Sequence, residues 1–413
     1  MKKYFIIFCL VAFSAQAAKT LSEVINLGLE NSNQYQIEKH NLKAALNSKK
    51  SSISEFLPEI SFNYERGSQQ NIREDESVDD RFQTQQIQTL SVTQPIFQGF
   101  KGVQAVKQGD ADYAAQQYAF VAFENELIFE LISNYLEVSE YQKIIERAKA
   151  NLWYYDQLLK STIAKGKLTS DNEIIDYKIN YYNALNQREN FANKLRQAES
   201  QYFRLTGQTA TELPLLNEEP KNLILEDLLV KALSNPNIKQ KYYELKSSKA
   251  AYKSEIGNLA PQINLSASHS KQDNAVFLDG EDLETKEITV NVTIPLFQKG
   301  SEYFAIKESK YNLEIKKQEY QLMIKEIEQQ VKQYYAEYDY ARKNYKSLRS
   351  INYLNYQKLE KSQKSFDLGL LDKIALNNAK INYGDAKINL AEAKIDYFKS
   401  YWQLKLLTEK YGQ

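Results

Sequence analysis

Hydrophobic and polar positions in this chain change period several times, and the changes map its elements. Ile288, Val290, Val292 and Ile294 alternate with Thr289, Asn291 and Thr293. An extended strand sends successive side chains to opposite faces, so this segment reads as a strand with one apolar and one wet side. The same alternation sets Leu90, Val92 and Ile96 against Ser91 and Thr93, and shorter runs repeat it at Ile60-Phe62-Tyr64 and Ile263-Leu265-Ala267. Two β-hairpins follow, over 58–97 and 261–297, with strands ended on their inner side by proline.

Elsewhere the period is helical. Prolines occur only at positions 58, 95, 214, 220, 236, 261 and 295, which leaves two long proline-free tracts rich in Ala, Leu, Glu, Lys, Gln and Asn. Proline breaks helix interiors, so these tracts predict very long helices. Each tract carries one punctuation mark: Gly166 before Thr169-Ser170-Asp171 in the first, Gly369 before Asp372 in the second. A glycine past one helix end followed by good N-cap residues predicts a helical hairpin in each tract, over 100–206 and 300–410. In the last arm Ala379, Ala386 and Ala393 recur every seven residues, interleaved with Tyr383, Leu390, Tyr397 and Leu404. That 3.5-residue period is a coiled-coil seam. The corresponding arm of the first tract offers Ile175, Tyr182, Leu185, Ala192, Leu195, Tyr202 and Leu205, less regularly, because Lys178 falls where an apolar knob belongs.

The chain says almost everything twice. Leu21 through Asn31 returns as Leu225 through Asn235, Leu57-Pro58-Glu59-Ile60 as Ala260-Pro261-Gln262-Ile263, and Thr89 through Gln98 as Thr289 through Gln298. The offset far exceeds a solenoid unit, so the chain is a duplicated half-protein. It divides into 1–17, a first repeat over 18–213, a linker over 207–222 and a second repeat over 223–413.

The first segment has the character of an export signal: Lys2 and Lys3, an apolar run from Tyr4 to Phe13, then Ala15-Gln16-Ala17. Cys9, the only cysteine, lies inside it, which leaves a mature chain without a thiol for disulfides or metal. The formal charge of zero becomes negative once Lys2 and Lys3 are lost, which argues against a nucleic-acid partner. No later stretch is apolar enough for a membrane helix.

Two homes suit such strands: a soluble β domain on helices, or an outer-membrane barrel whose apolar face meets lipid. In an exported chain with two matched hairpins the second gains weight. Lipid offers no hydrogen bonds, so a barrel must close on itself, and four strands cannot close one. Several copies must therefore share it; two, three or four remain open on these grounds.

The residues that bound these hairpins carry a resemblance. Gln94-Pro95-Ile96-Phe97 with Gly99, the parallel Ile294-Pro295-Leu296-Phe297 with Gly300, and Gly369-Leu370-Leu371-Asp372 before the last helix resemble the TolC-type outer-membrane efflux protein family, over essentially the whole mature chain. The resemblance implies an α+β membrane protein: a homotrimer in which four strands per chain build one twelve-stranded barrel, while long coiled-coil hairpins form a periplasmic tunnel. It implies a passive exit duct for drugs or secreted proteins, partnered by a periplasmic adaptor, an inner-membrane transporter and outer-membrane lipid. The strand face of Leu90, Val92, Ile96, Ile288, Val290, Val292 and Ile294 then meets the membrane.

The family's constricted tip carries acids six and nine positions after the second hairpin's glycine; here those positions are Ala375 and Asn378. A carboxylate ring there is not expected. The candidate tip or gate residues are Gly166, Asp171, Glu173, Asp176, Gly369, Asp372 and Asn378, although Asp171 and Asp372 read more simply as helix N-terminal charges favoured by the dipole. A soluble periplasmic coiled-coil spacer or adaptor is the alternative.

Catalytic chemistry finds no constellation. His40 and His269 are the only histidines and lie far apart in sequence, without a zinc spacing. No phosphate-binding glycine loop, GxSxG or HExxH occurs, so neither enzyme, cofactor nor metal is expected. The acidic loops at 73–81 and 273–286 read as solvated surface or as sites for divalent cations. Tyr135, Tyr141, Tyr334, Tyr335, Tyr338 and Tyr340 suit packing between helices or lining a tunnel.

Overall fold

The computed structural model describes residues 19–69, 83–164, 170–273, 282–297 and 299–411. The expected export signal and Gly166 lie outside the described residues, as do most of the two acidic loops. Eight helices and four strands run in the order α1 (Leu21–Asn31), α2 (Asn33–Ile53), β1 (Glu59–Gln69), β2 (Gln83–Gln98), α3 (Lys101–Ala164), α4 (Asp171–Thr206), α5 (Leu225–Ala232), α6 (Pro236–Gly257), β3 (Gln262–Asp273), β4 (Leu283–Thr293), α7 (Ser301–Asp367) and α8 (Lys373–Thr408), with a single 3-10 turn at Ser54–Phe56 among the described residues. They form two compact units. One gathers the described parts of Met1–Ile37, Val121–Asn235 and Glu326–Gln413, the other Glu38–Phe120 and Pro236–Lys325.

The second unit holds one antiparallel sheet in the order β1-β2-β3-β4. The two hairpins are joined by β2 pairing with β3, from Gln86 opposite Asp273 to Gln98 opposite Gln262. Sequence reading supplied each hairpin but not this seam between repeats. The helices attached to the strands keep the same order. Lys49 of α2 pairs with Asp110 of α3 at 3.0 Å, Tyr118 of α3 stacks on Tyr243 of α6, and Lys241 of α6 reaches Glu319 of α7 at 3.5 Å.

Strands are longer than the alternation suggested, and proline does not end both. β4 stops at Thr293, before Pro295, but β2 continues through Pro95 to Gln98. The register slips between Pro95 and Phe97, so Ile96 and Phe97 together oppose Ile263. A bulge is where a strand tolerates the missing proline N–H. Beyond it, Gly99 and Phe100 both take positive φ, 62° and 64°, and turn the chain into α3. A Cβ on Gly99 would lie 2.1 Å from the Gly257 carbonyl, so only glycine lets the end of α6 approach here.

The first unit is built from the long arms. Ile144 and Ala148 of α3, Phe191 of α4, and Ile388 and Ala391 of α8 form one buried cluster. Ala379, Ala386 and Ala393 are buried as the heptad predicts, but α8 has a second buried series, Ile381, Ile388 and Ile395, on another side. On α4 the buried series is Ala184, Phe191, Ala198 and Leu205, whereas Ile175 and Tyr182 are 51% and 61% exposed. The expected α4 seam holds at Tyr202 and Leu205 and is displaced earlier in the helix, because the buried knobs there include Ala184 and Ala198 and alanine scores weakly as apolar.

The linker is pinned by side chains. Tyr135 donates its hydroxyl to the Pro214 carbonyl at 2.8 Å, and Gln142 both donates to Thr211 O (3.0 Å) and accepts from Leu213 N (3.2 Å). Tyr397 and Tyr338 donate to Pro220 O and Lys221 O, at 3.3 and 3.4 Å. Buried phenols need partners, and an irregular linker has spare carbonyls.

Candidate functional site: a two-faced sheet and the paired starts of α4 and α8

Register assigns the sheet's faces without ambiguity, because paired residues share a side. Ile60, Val92, Ala267 and Ile288 form one row, and Phe62, Leu90, His269 and Lys286 the next. Toward the helices, Gln94, Leu265 and Val290 make a third row, and Ile263 with Val292 a fourth. This is the face of the predicted membrane set. Leu90, Ile288, Val290 and Val292 lie on it and are 47%, 80%, 62% and 58% exposed. Val92 shares it, half-buried. Ile96 is the extra residue of the bulge, and Ile294 lies just past the end of β4.

The opposite face is lined with hydroxyls and amides. Ser61, Ser91, Ser268 and Glu287 share a row, with Asn63, Thr89, Ser270 and Thr285 beside it. Ser61 bonds Ser91 at 2.7 Å, Thr89 bonds Ser270 at 3.2 Å and Thr93 bonds Ser266 at 3.5 Å. An apolar face backed by a wet one is the division between lipid and lumen in a membrane barrel. Among the described residues β1 and β4 each pair on one side only, leaving two rows of unpaired backbone groups.

The first turns of α4 and α8 come together. Gly369 ends α7 at φ 73°, with Leu370 N donating to Ser365 O at 2.8 Å and Gly369 N to Phe366 O at 2.9 Å. This paired bonding satisfies the last carbonyls and needs a left-handed residue at Gly369. It leaves Leu368 and Leu370 exposed by 74% and 77%. Asp372 caps α8, accepting from Ala375 N at 2.8 Å. On α4 the cap is Ser170, which accepts from Glu173 N at 3.2 Å, so Asp171 is an exposed first-turn acid. Asp176 is exposed one turn further on.

Tyr177, which the sequence did not single out, joins these residues. Its phenol is pushed up from the ordinary value first by burial, then by the negative charge of Glu173 and Asp372, while a hydrogen bond from the Asn378 side chain opposes the shift. Glu173, Asp372 and Asn378, taken from both hairpins, therefore lie within electrostatic reach of one phenol. No local pattern marks Tyr177 in a chain with 30 tyrosines.

Further along, polar ties hold α8 to its neighbours. Asn151 Nδ2 donates to Asp385 Oδ1 at 2.7 Å, Arg147 donates to Lys387 O at 3.1 Å, Glu140 pairs with Lys394 at 2.7 Å and Lys194 with Glu392 at 2.9 Å. Lys399 pairs with Glu137. Burial raises the Asp385 carboxyl above its ordinary range, with the Asn151 bond working against that shift. Of the tyrosines considered for a tunnel, Tyr135 and Tyr338 are buried between helices and Tyr340 is exposed on α7. His40 lies on α2; His269 shares a hydrogen bond with Glu284 at 2.9 Å. Among the described residues no group of His, Cys, Asp or Glu is arranged to hold a metal ion, and no helix is long and apolar enough to cross a membrane.

Comparison with known proteins places this geometry. The family described as Outer membrane efflux protein matches residues 24–208 and 228–408. The outer membrane efflux protein BepC of Brucella suis is 23% identical over 235 residues, 54% of this chain and 50% of that protein, so the matched stretch spans about half of this curated relative. Among solved structures, the Campylobacter jejuni CmeC outer membrane channel superposes with a TM-score of 0.77 over 96% of this chain and 88% of its own, at 14% identity. The open state of the Neisseria gonorrhoeae MtrE outer membrane channel gives 0.77 over 94% and 88%, at 14% identity. VceC of Vibrio cholerae gives 0.75 over 94% of each chain, at 14% identity. These likenesses establish the fold, and the match across both repeats establishes the lineage: the chain belongs to the outer membrane efflux protein family, a family of outer-membrane channels and not of enzymes.

Proposed function

We propose that three copies of this chain close into one barrel and one helical tunnel, and that the assembly is a passive exit duct for cargo handed over by an inner-membrane transporter through a periplasmic adaptor. The observation that carries this reading is the sheet: four strands, an apolar face, a hydroxyl-lined face and two unpaired edges. In lipid those edges must be paired, and β4 of one copy is antiparallel to β1 of the next. The helices beside the edges are also open. α2 buries no residue, and α7 exposes Phe304, Tyr311, Ile315 and Leu322 along one face. A soluble spacer would leave both the strand face and these helix faces in water.

The strand set of Leu90, Val92, Ile96, Ile288, Val290, Val292 and Ile294 meets lipid in this reading, and the hydroxyl rows line the exit. The tips are the gate. Tyr177 and Asn378 bring the starts of α4 and α8 together, the carboxylates of Asp171, Glu173, Asp176 and Asp372 gather negative charge around that junction, and Leu368 and Leu370 offer the adaptor an exposed apolar contact. Opening untwists one hairpin from the other.

Cysteines placed along β1 and β4 test the closure, since the mature chain has no other thiol. Oxidation in outer membranes should give a covalent three-chain ladder, and light scattering in detergent should give three times the subunit mass. A monomer, or strand-edge cysteines that never crosslink between copies, would overturn the reading.

A further inference from the structure

Between α3 and α6, close to the ends of the strands, lies a cavity of about 290 Å³ whose lining includes Gln104, Lys107, Lys246, Lys249 and Lys253. We propose that it binds the phosphate group of an anionic phospholipid from the periplasmic leaflet of the outer membrane. The inference uses the chain's outer-membrane location and not its role as a duct.

Charge is the first argument. Asp110 is the one carboxylate of the lining, and Lys49 pairs with it at 3.0 Å. Among the described residues no carboxylate lies within ion-pair distance of Lys107, Lys246, Lys249 or Lys253, whereas Lys241 and Lys316, on the neighbouring stretch, share Glu244 and Glu319. Four like charges in one concavity repel each other, and an anion relieves that repulsion. Lys246, Lys249 and Lys253 recur at the three- and four-residue spacing that puts them on one face of α6, so the concentration is built into the helix.

Place is the second argument. The Gly99 and Gly257 backbones touch where α3 begins and α6 ends, which marks the level of the strand ends. Gln104 and Lys107 follow Gly99, and Lys253 and Lys249 precede Gly257, by four to eight residues, or roughly 6 to 12 Å of helix. The headgroup layer extends about 5 to 8 Å beyond the hydrocarbon, and a lysine stem reaches across the remainder. A lipid in the leaflet can therefore set its phosphate among the ammonium groups while its chains stay beside the strands. Tyr243, stacked on Tyr118 with ring centroids 5.6 Å apart, walls the cavity with an amphipathic ring of the kind that favours this interface.

The test uses the purified full chain in detergent, with short-chain phosphatidylglycerol, phosphatidylcholine and inorganic phosphate as separate probes followed by native mass spectrometry. Phosphatidylglycerol should bind, and Lys249→Gln with Lys253→Gln should weaken that binding at least about tenfold while Lys249→Arg with Lys253→Arg restores it. Equal binding to parent and Gln variant would overturn the proposal. Inorganic phosphate competing as well as phosphatidylglycerol would overturn the lipid source in favour of a free anion. Should the Gln variant not assemble, the unmodified protein decides: phosphatidylglycerol, but not phosphatidylcholine, should shield Lys246, Lys249 and Lys253 from amine acetylation, and unchanged labelling would sink the idea.

Discussion

The two repeats are alike in sequence but opposite in burial. In the first the long arm carries the core: Leu131, Ile132, Tyr135, Leu136, Val138 and Ile144 of α3 are exposed by 1% or less. In the second the long arm is nearly bare. Of the 67 residues of α7 only Ile327, Val331, Tyr338 and Ala341 are buried, whereas sixteen of the 36 in α8 are. Duplication therefore supplied two hairpins of the same plan, and divergence put α3 and α8 inside the protomer. α4 and α7 were left to show Ile175, Ile179 and Tyr182, and Tyr340, Tyr353 and Leu354, to their surroundings. Each repeat contributes one arm chiefly to a shared core and one to whatever covers the protomer.

The largest effect should come from truncating the inside arm. Ile388 of α8 is fully buried against α3 and α4, so Ile388→Ala should cost about 2 to 5 kcal/mol and lower the thermal midpoint followed by circular dichroism. Ile315→Ala on α7, 54% exposed, should change the stability of the dissociated subunit by no more than about 0.5 kcal/mol. Equal losses would break the distinction between the arms.

The outside arm has its own test, smaller in subunit stability but visible in assembly. Tyr353→Asp with Leu354→Asp places charges where α7 is 60% and 61% exposed. Helical content should survive, and light scattering in detergent should shift toward single subunits. Retention of the full assembly at every concentration would mean that α7 faces solvent in the complex.

Much of this plan was legible because two signals are loud in a single sequence: the two-residue period of a half-wet strand, and the absence of proline across a long helix. Both helical hairpins and all four strands came from these. What escaped depends on partners distant in the chain. The pairing of β2 with β3 leaves no local mark, and the bulge at Ile96 reveals itself only in the register against Ile263. The seam of α4 was right at Tyr202 and Leu205 and misplaced before them, because Ala184 and Ala198 count little as hydrophobes although they are what allows close approach. The second series on α8, Ile381, Ile388 and Ile395, was hidden by the first, since a helix buried on two sides has little amphipathic contrast. Capping chemistry made Asp372 readable in advance, but Tyr177 needed the other hairpin to be seen.

A weaker effect should separate the arms by pH. The raised Asp385 carboxyl means that folding takes up a proton between the ordinary value of about 3.9 and the higher folded value. The native state is therefore favoured below that window and loses stability as pH rises through it. Asp385→Asn keeps a partner for Asn151 and carries no charge. Its thermal midpoint should match the parent in acid and exceed it by a few degrees at neutral pH. A parallel pair of curves would show that the α3–α8 contact tolerates the charged form.

The smallest effect is expected where the two repeats meet at their tips. Tyr177 of α4 faces the Asn378 amide of α8 in a half-wet setting, and a hydrogen bond between two such groups has a net worth of about 0.5 to 1.5 kcal/mol. If closure depends on it, Tyr177→Phe should shift the balance toward the open state by a factor of roughly 2 to 10, seen as more frequent opening in planar bilayers. Asn378→Ala should do the same, and the double variant should do no more than either alone, because both remove one contact. Additive effects would mean that the two side chains act separately. No change in any of the three would move the gate away from this junction, toward the polar ties that hold α8 to α3 and α4. Phe at position 177 keeps the ring and its packing, so a loss of closure there measures the hydroxyl and not the shape of the tip.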